Sequence, residues 1–154
     1  NISYQKNWIG KPFNLSVNLN HSQNTNTRLV NLNLPGPIQG SVEILRALKR
    51  QGRTLYGLSN WSAETFRRVR PNFPFLDLLE IVVMSGEVGL VKPDPRIFQL
   101  LLERTGRQAN DCLLIDDAPA NIAAAAALGF QTVRFESPEQ LRQKLVQRGL
   151  LAEN

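Results

Sequence analysis

Acidic residues are missing from the first part of this chain. No Asp or Glu precedes Glu43, and no Asp precedes Asp77. Cysteine is nearly absent too. Cys112 stands alone, which excludes an internal disulfide and suits a reducing, cytoplasmic setting. It lies in an apolar run and reads as a small buried hydrophobe. No apolar stretch has the length of a membrane span, and no charged-then-apolar signal sequence opens the chain. The first residue is Asn1 rather than Met, so the chain reads as a processed product or a piece of a longer reading frame. A concentrated basic patch is also missing. The net charge of +5 is scattered, as over Arg46, Lys49, Arg50 and Arg53 or Arg67, Arg68 and Arg70. These groups read as solvated helix faces, so no nucleic-acid partner is expected.

What is present divides into two textures. With 154 residues the chain is long enough for one domain with a real core. Residues 1–35 are rich in Asn. Within them 13–20 (FNLSVNLN) and 28–34 (RLVNLNL) alternate apolar and polar residues around a polar stretch. Period-two alternation of this kind predicts an amphipathic β-hairpin; the Asn and Ser content equally permits disorder. Residues 36–154 read as a separate α/β core.

In that core, strands and helices alternate. Helices are predicted over 37–52 (capped by Ser41 and stopped by Gly52), from Ala63 (capped by Ser62), over 96–104, over 121–128 and over 138–148. Strands are predicted over 54–59, 80–85, 112–117 and 131–135. Residues 73–79 read as a loop or turn, and 86–95 as a Gly- and Pro-rich loop. Alternation of this kind predicts a parallel sheet with right-handed crossovers and helices on both faces, a three-layer Rossmann-like architecture.

The most informative stretch is CLLIDDAPAN at 112–121. An all-apolar run predicts a strand buried on both faces, and it ends in the adjacent carboxylates of Asp116 and Asp117. Open α/β sheets bind ligands at that edge. Adjacent acids suit a hard cation such as Mg²⁺. Taken alone, the pair is equally a helix cap beside a solvated loop acid. Ser59 and Asn60 end the first strand of the core, and Lys92 follows the second. In a parallel sheet all these groups share one edge. A hydroxyl, helix-start N–H groups and a lysine suit a phosphoryl group, and carboxylates suit the metal that neutralises it.

The segments LSNWS at 58–62, SGEVGLVKPDPRIF at 85–98 and LLIDDAPANIAAAAALG at 113–129 resemble motifs two to four of the haloacid dehalogenase-like hydrolases, in the order of that family. The resemblance implies Mg²⁺-dependent hydrolysis of a small phosphorylated metabolite through an aspartyl-phosphate. It implies a phosphate-binding role for Ser59 and for Asn60 beside it, and a catalytic, phosphate-binding role for Lys92. It makes Asp117 the direct metal ligand, supported by Asp116 and Asn121. The family nucleophile, an aspartate in a DxDx(T/V) motif, is not found, and neither is a cap. The nearest shapes, at 18–22 (NLNHS) and 31–33 (NLN), carry Asn where Asp is needed, and a neutral amide is a poor nucleophile. The expected core is accordingly incomplete, or completed by an atypical N-terminal strand or hairpin. Residues 15–20 or 29–34 could fill the central slot, though at the cost of Asn on a face that should be buried. The chain is read as truncated or inactive alone. The alternatives are a non-catalytic phosphate- and metal-binding module and a non-functional fragment.

Overall fold

The structure is a computed structural model and describes residues 14–17 and 39–153. One parallel sheet holds β1 (Asn14–Val17), β2 (Thr54–Ser59), β3 (Ile81–Met84), β4 (Cys112–Asp116) and β5 (Gln131–Arg134). The helices are α1 (Gln39–Arg50), α2 (Ala63–Val69), α3 (Ser85–Val88), α4 (Pro95–Thr105), α5 (Pro119–Ala127) and α6 (Pro138–Gln147). The strand order is β3-β2-β1-β4-β5. The chain runs outward from β1 to β2 and β3, then returns to the other side of β1 for β4 and β5. That reversal makes a topological switch point at the C-terminal ends of β2, β1 and β4, where such sheets form a ligand crevice.

Why these residues make this sheet follows from their apolar runs. Every residue of β4 is buried, as is all of β2 after Thr54. Strands covered on both faces need no polar alternation. One core layer packs Ile44, Leu45 and Leu48 of α1 and Leu141 and Leu145 of α6 against Leu55, Leu113 and Val133. The opposite layer packs Ile97, Phe98 and Leu101 of α4 and Ala125 of α5 against Tyr56, Val83 and Leu114. The predicted three-layer α/β architecture is therefore the observed one. Among the described residues no helix is long and apolar enough to cross a membrane.

Three local expectations are corrected. The first concerns the N-terminal segment. Asn14–Val17 is not one arm of a hairpin, because both its edges are taken in parallel. Leu15 is registered with Leu55 on one side and Leu113 on the other, and Val17 with Gly57 and Ile115. The alternating residues 28–34, and the candidate first motifs at 18–22 and 31–33, lie outside the described residues. The second concerns the cap of α1. The helix starts at Gln39, so Ser41 lies inside it, and its Oγ is buried with no hydrogen-bond partner among the described residues. Ser62, by contrast, does cap α2, its Oγ accepting from the Thr65 N–H at 3.1 Å.

The third concerns the stretch after β3. Its Gly content predicts a loop, yet Ser85–Val88 forms the short helix α3, which Gly89 ends at φ 68°. Gly86 is needed there for space. A Cβ at this position would lie 2.8 Å from both the Ala63 nitrogen and the Ser62 Cα, which are backbone atoms and cannot rotate away. Its own N–H donates to the Trp61 carbonyl at 3.0 Å. Gly86→Ala is expected to cost about 1–3 kcal/mol through overpacking. Urea titration beside the parent chain checks this, and an unchanged midpoint would refute the close approach.

Candidate functional site

Each candidate side chain is delivered by the C-terminal end of a strand or by the segment that follows it. Ser59, the last residue of β2, is fully buried, and Asn60 follows it half-buried. Lys92 lies between α3 and α4. Asp116 ends β4 and is buried, whereas the next residue, Asp117, is exposed. Asn121, in the first turn of α5, is buried. Hydrogen bonds link four of the six residues, Asn60, Lys92, Asp116 and Asn121, while Ser59 is buried at the end of β2 and Asp117 is exposed.

The centre of the arrangement is a buried ion pair. The Lys92 ammonium donates to Asp116 Oδ2 at 2.9 Å and to the Leu58 carbonyl at 3.0 Å. Neither charged side chain has any exposed surface. Burial strips water from the ammonium and pulls its pKa below the usual lysine value, while Asp116 and, more weakly, Asp117 act in the opposite sense. An ammonium has three N–H donors. Two are used by acceptors among the described residues, and one remains.

Asp116 is held from the other side as well. Its Oδ1 accepts the Ala118 N–H at 2.9 Å, and the Asn121 amide donates to both carboxylate oxygens at 3.0 Å. Asn121 can do this because the first turn of α5 follows directly on β4 and turns its residues back toward the strand end. Buried charges persist when their hydrogen bonds are filled in this way.

Asn60 is placed differently from what its position beside Ser59 predicts. Its Oδ1 accepts the Lys92 N–H at 2.8 Å, and its Nδ2 donates to the Lys92 carbonyl at 3.0 Å. One carboxamide therefore spans one residue of backbone from both ends. The same loop is braced nearby, where the Trp61 carbonyl accepts from Ser85 Oγ at 3.3 Å and from the Gly86 N–H. Neither the brace nor the Leu58 carbonyl was foreseeable from residue types, because both depend on backbone groups brought together by the fold.

Adjacent acids at the ligand edge of the sheet suit a hard cation such as Mg²⁺. This ion takes six oxygens and commonly uses one or two carboxylates, with water and substrate phosphate completing the shell. Asp117 fits as an exposed carboxylate at the ligand edge. Asp116 fits poorly as a direct ligand, since both its oxygens already accept hydrogen bonds. Among the described residues no three His, Cys, Asp or Glu side chains form a metal-binding group. The described residues therefore suit the one-carboxylate part of a hard-cation site.

Residues 23–129 match the haloacid dehalogenase-like hydrolase family. Acyl-CoA dehydrogenase family member 10 of Mus musculus is 43% identical over 60 residues, covering 39% of this chain and 6% of its own length. Ribulose-1,5-bisphosphate 5-phosphatase of Halopiger xanaduensis is 30% identical over 99 residues, covering 64% of this chain and 41% of its own length. A haloacid dehalogenase-family enzyme of Bacteroides thetaiotaomicron, solved with magnesium and inorganic phosphate, is 30% identical with a TM-score of 0.57. That match covers 64% of this chain and 52% of the other. The chain thus spans less than half the length of either curated relative.

Proposed function

On the premise that the chain belongs to the haloacid dehalogenase-like hydrolases, we propose that it carries the phosphate- and metal-binding side of a phosphohydrolase site without the attacking carboxylate. The observation that carries this reading is the buried Lys92 ammonium, held by Asp116 and the Leu58 carbonyl with one donor remaining. A fixed positive charge at the C-terminal edge of a parallel sheet suits a phosphate dianion. Ser59 and Lys92 bind and orient that phosphate, and Asp116 and Asn121 hold the ammonium in place. Mg²⁺, held by Asp117 when bound, would neutralise charge on the phosphoryl oxygens. Support also comes from a relative named as a sugar-bisphosphate phosphatase and from a related enzyme solved with magnesium and phosphate. The substrate class is accordingly a small phosphate monoester.

What the chain lacks is the group that attacks phosphorus. No Asp precedes Asp77, and residues 1–42 supply only amides and hydroxyls as side-chain oxygen groups, the first carboxylate being Glu43 in the helix α1. Neither an amide nor a hydroxyl approaches a carboxylate as the nucleophile of an aspartyl-phosphate mechanism. The expected result with a generic phosphate monoester and Mg²⁺ is therefore no turnover. Inorganic phosphate with Mg²⁺ is expected to raise stability by about 1.4 kcal/mol at about ten times its Kd. Thermal melts with and without these ligands measure the second quantity. Hydrolysis that disappears in Asp117→Ala would overturn the missing-nucleophile part, and melts indifferent to phosphate would overturn the binding part.

A further inference from the structure

We propose that Asn60 is a positioning residue that acts on phosphate through Lys92. This rests on the phosphate-site reading above and assigns Asn60 a different place within it. A lysine side chain is flexible, and its ammonium is placed only as well as the backbone that carries it. Here that backbone is gripped at both ends of one residue. The Asn60 oxygen receives the Lys92 N–H at 2.8 Å, and the Asn60 nitrogen gives to the Lys92 carbonyl at 3.0 Å. Rotation of either peptide unit breaks one of these bonds.

The grip also ties both parts of Lys92 to one strand end. Asn60 is attached directly to β2, and the ammonium it helps to place touches the Leu58 carbonyl of that same strand. Thus the Lys92 backbone and side chain are both referenced to the end of β2, one through Asn60 and the other through Leu58. A side chain with one fixed end would leave the ammonium free to swing. With the backbone clasped and Asp116 at the tip, its position is fixed along its whole length. A carboxamide of this size supplies an acceptor and a donor on one carbon. Aspartate keeps the acceptor and loses the donor, and alanine loses both.

The test uses the full chain and inorganic phosphate with Mg²⁺ as the probe. Phosphate Kd values are measured for the parent, Asn60→Ala, Lys92→Met and the double variant. Asn60→Ala is expected to weaken binding about tenfold, the usual effect of removing a group that orients a ligand-binding side chain. In the Lys92→Met background the same change is expected to do almost nothing, because the ammonium it positions is gone. Additive losses would overturn the proposal and make Asn60 a direct phosphate contact. Amide hydrogen exchange at residue 92 supplies a readout that needs no phosphate. Asn60→Ala should speed it at least about tenfold, and Asn60→Asp should leave it slow. Unchanged exchange in Asn60→Ala overturns the clasp, including where Lys92→Met does not fold. A parent chain that binds no phosphate overturns the site reading and the phosphate role of Asn60, while exchange still decides whether the grip exists.

Discussion

Asp116→Ala is expected to lower the free energy of unfolding by about 3–5 kcal/mol, the usual cost of leaving one partner of a buried ion pair alone. Neither charged side chain has exposed surface, so water replaces the lost carboxylate only if the site opens. The ammonium would keep only the Leu58 carbonyl. Asn121 would lose both acceptors it now uses on Asp116, and the Ala118 N–H would lose one more. The double change Lys92→Met with Asp116→Leu removes both charges together and should recover most of the loss. Urea unfolding of the three chains decides the matter. If the single variant unfolds within about 1 kcal/mol of the parent, the pair is not sealed as described.

Phe98→Ala should be comparably damaging, at about 3–5 kcal/mol. Phe98 has no exposed surface, and its ring meets Phe130 edge-on with centroids 6.0 Å apart. It stands in the layer where α4 and α5 cover the sheet, among Tyr56, Val83, Leu101 and Leu114. Alanine there leaves a cavity that helices on one side and strands on the other cannot close. Val91→Ala is the control, since Val91 is 55% exposed. It should change stability by no more than about 0.5 kcal/mol. Differential calorimetry should separate the two variants by on the order of 10 °C in Tm. Equal melting temperatures would contradict the burial assigned to Phe98.

The parts of the fold that could be read from residue order are those where one physical effect dominates. Cys112–Asp116 and Thr54–Ser59 are apolar runs between turn signals, and burial on both faces asks for nothing else. Helix ends were legible where a glycine takes a positive φ, as at Gly52, Gly106, Gly129 and Gly149. β1 was legible only as one of two candidates for the central slot, residues 15–20 beside 29–34. Its NLSV pattern alternates, which is the mark of a half-exposed strand, and only pairing with β2 and β4 contradicts that reading. The helix at Ser85–Val88 was hidden by two glycines that serve different ends, one for close approach and one for the stop.

The site divides in the same way. Its residue types and their shared sheet edge follow from local order alone. Its internal wiring does not. Lys92 and Asp116 are 24 residues apart, and Asn60 and Lys92 are 32 apart. Spacing along the chain carries no signal for which lysine proton meets which oxygen. Nor does it reveal that an asparagine beside the buried Ser59 turns its amide onto a backbone.

One contact reaches further than the site. The Lys92 ammonium touches Leu58 at the end of β2 and Asp116 at the end of β4, and these are the two strands that flank β1. Neighbouring strands lie about 4.8 Å apart, so the flanking pair stands roughly twice that distance from each other. A single side chain can satisfy both acceptors only while that width is kept. Lys92 is therefore a gauge block across the middle of the sheet. Widening or narrowing the gap at this end, by even the difference between a hydrogen bond and none, forces it to release one side.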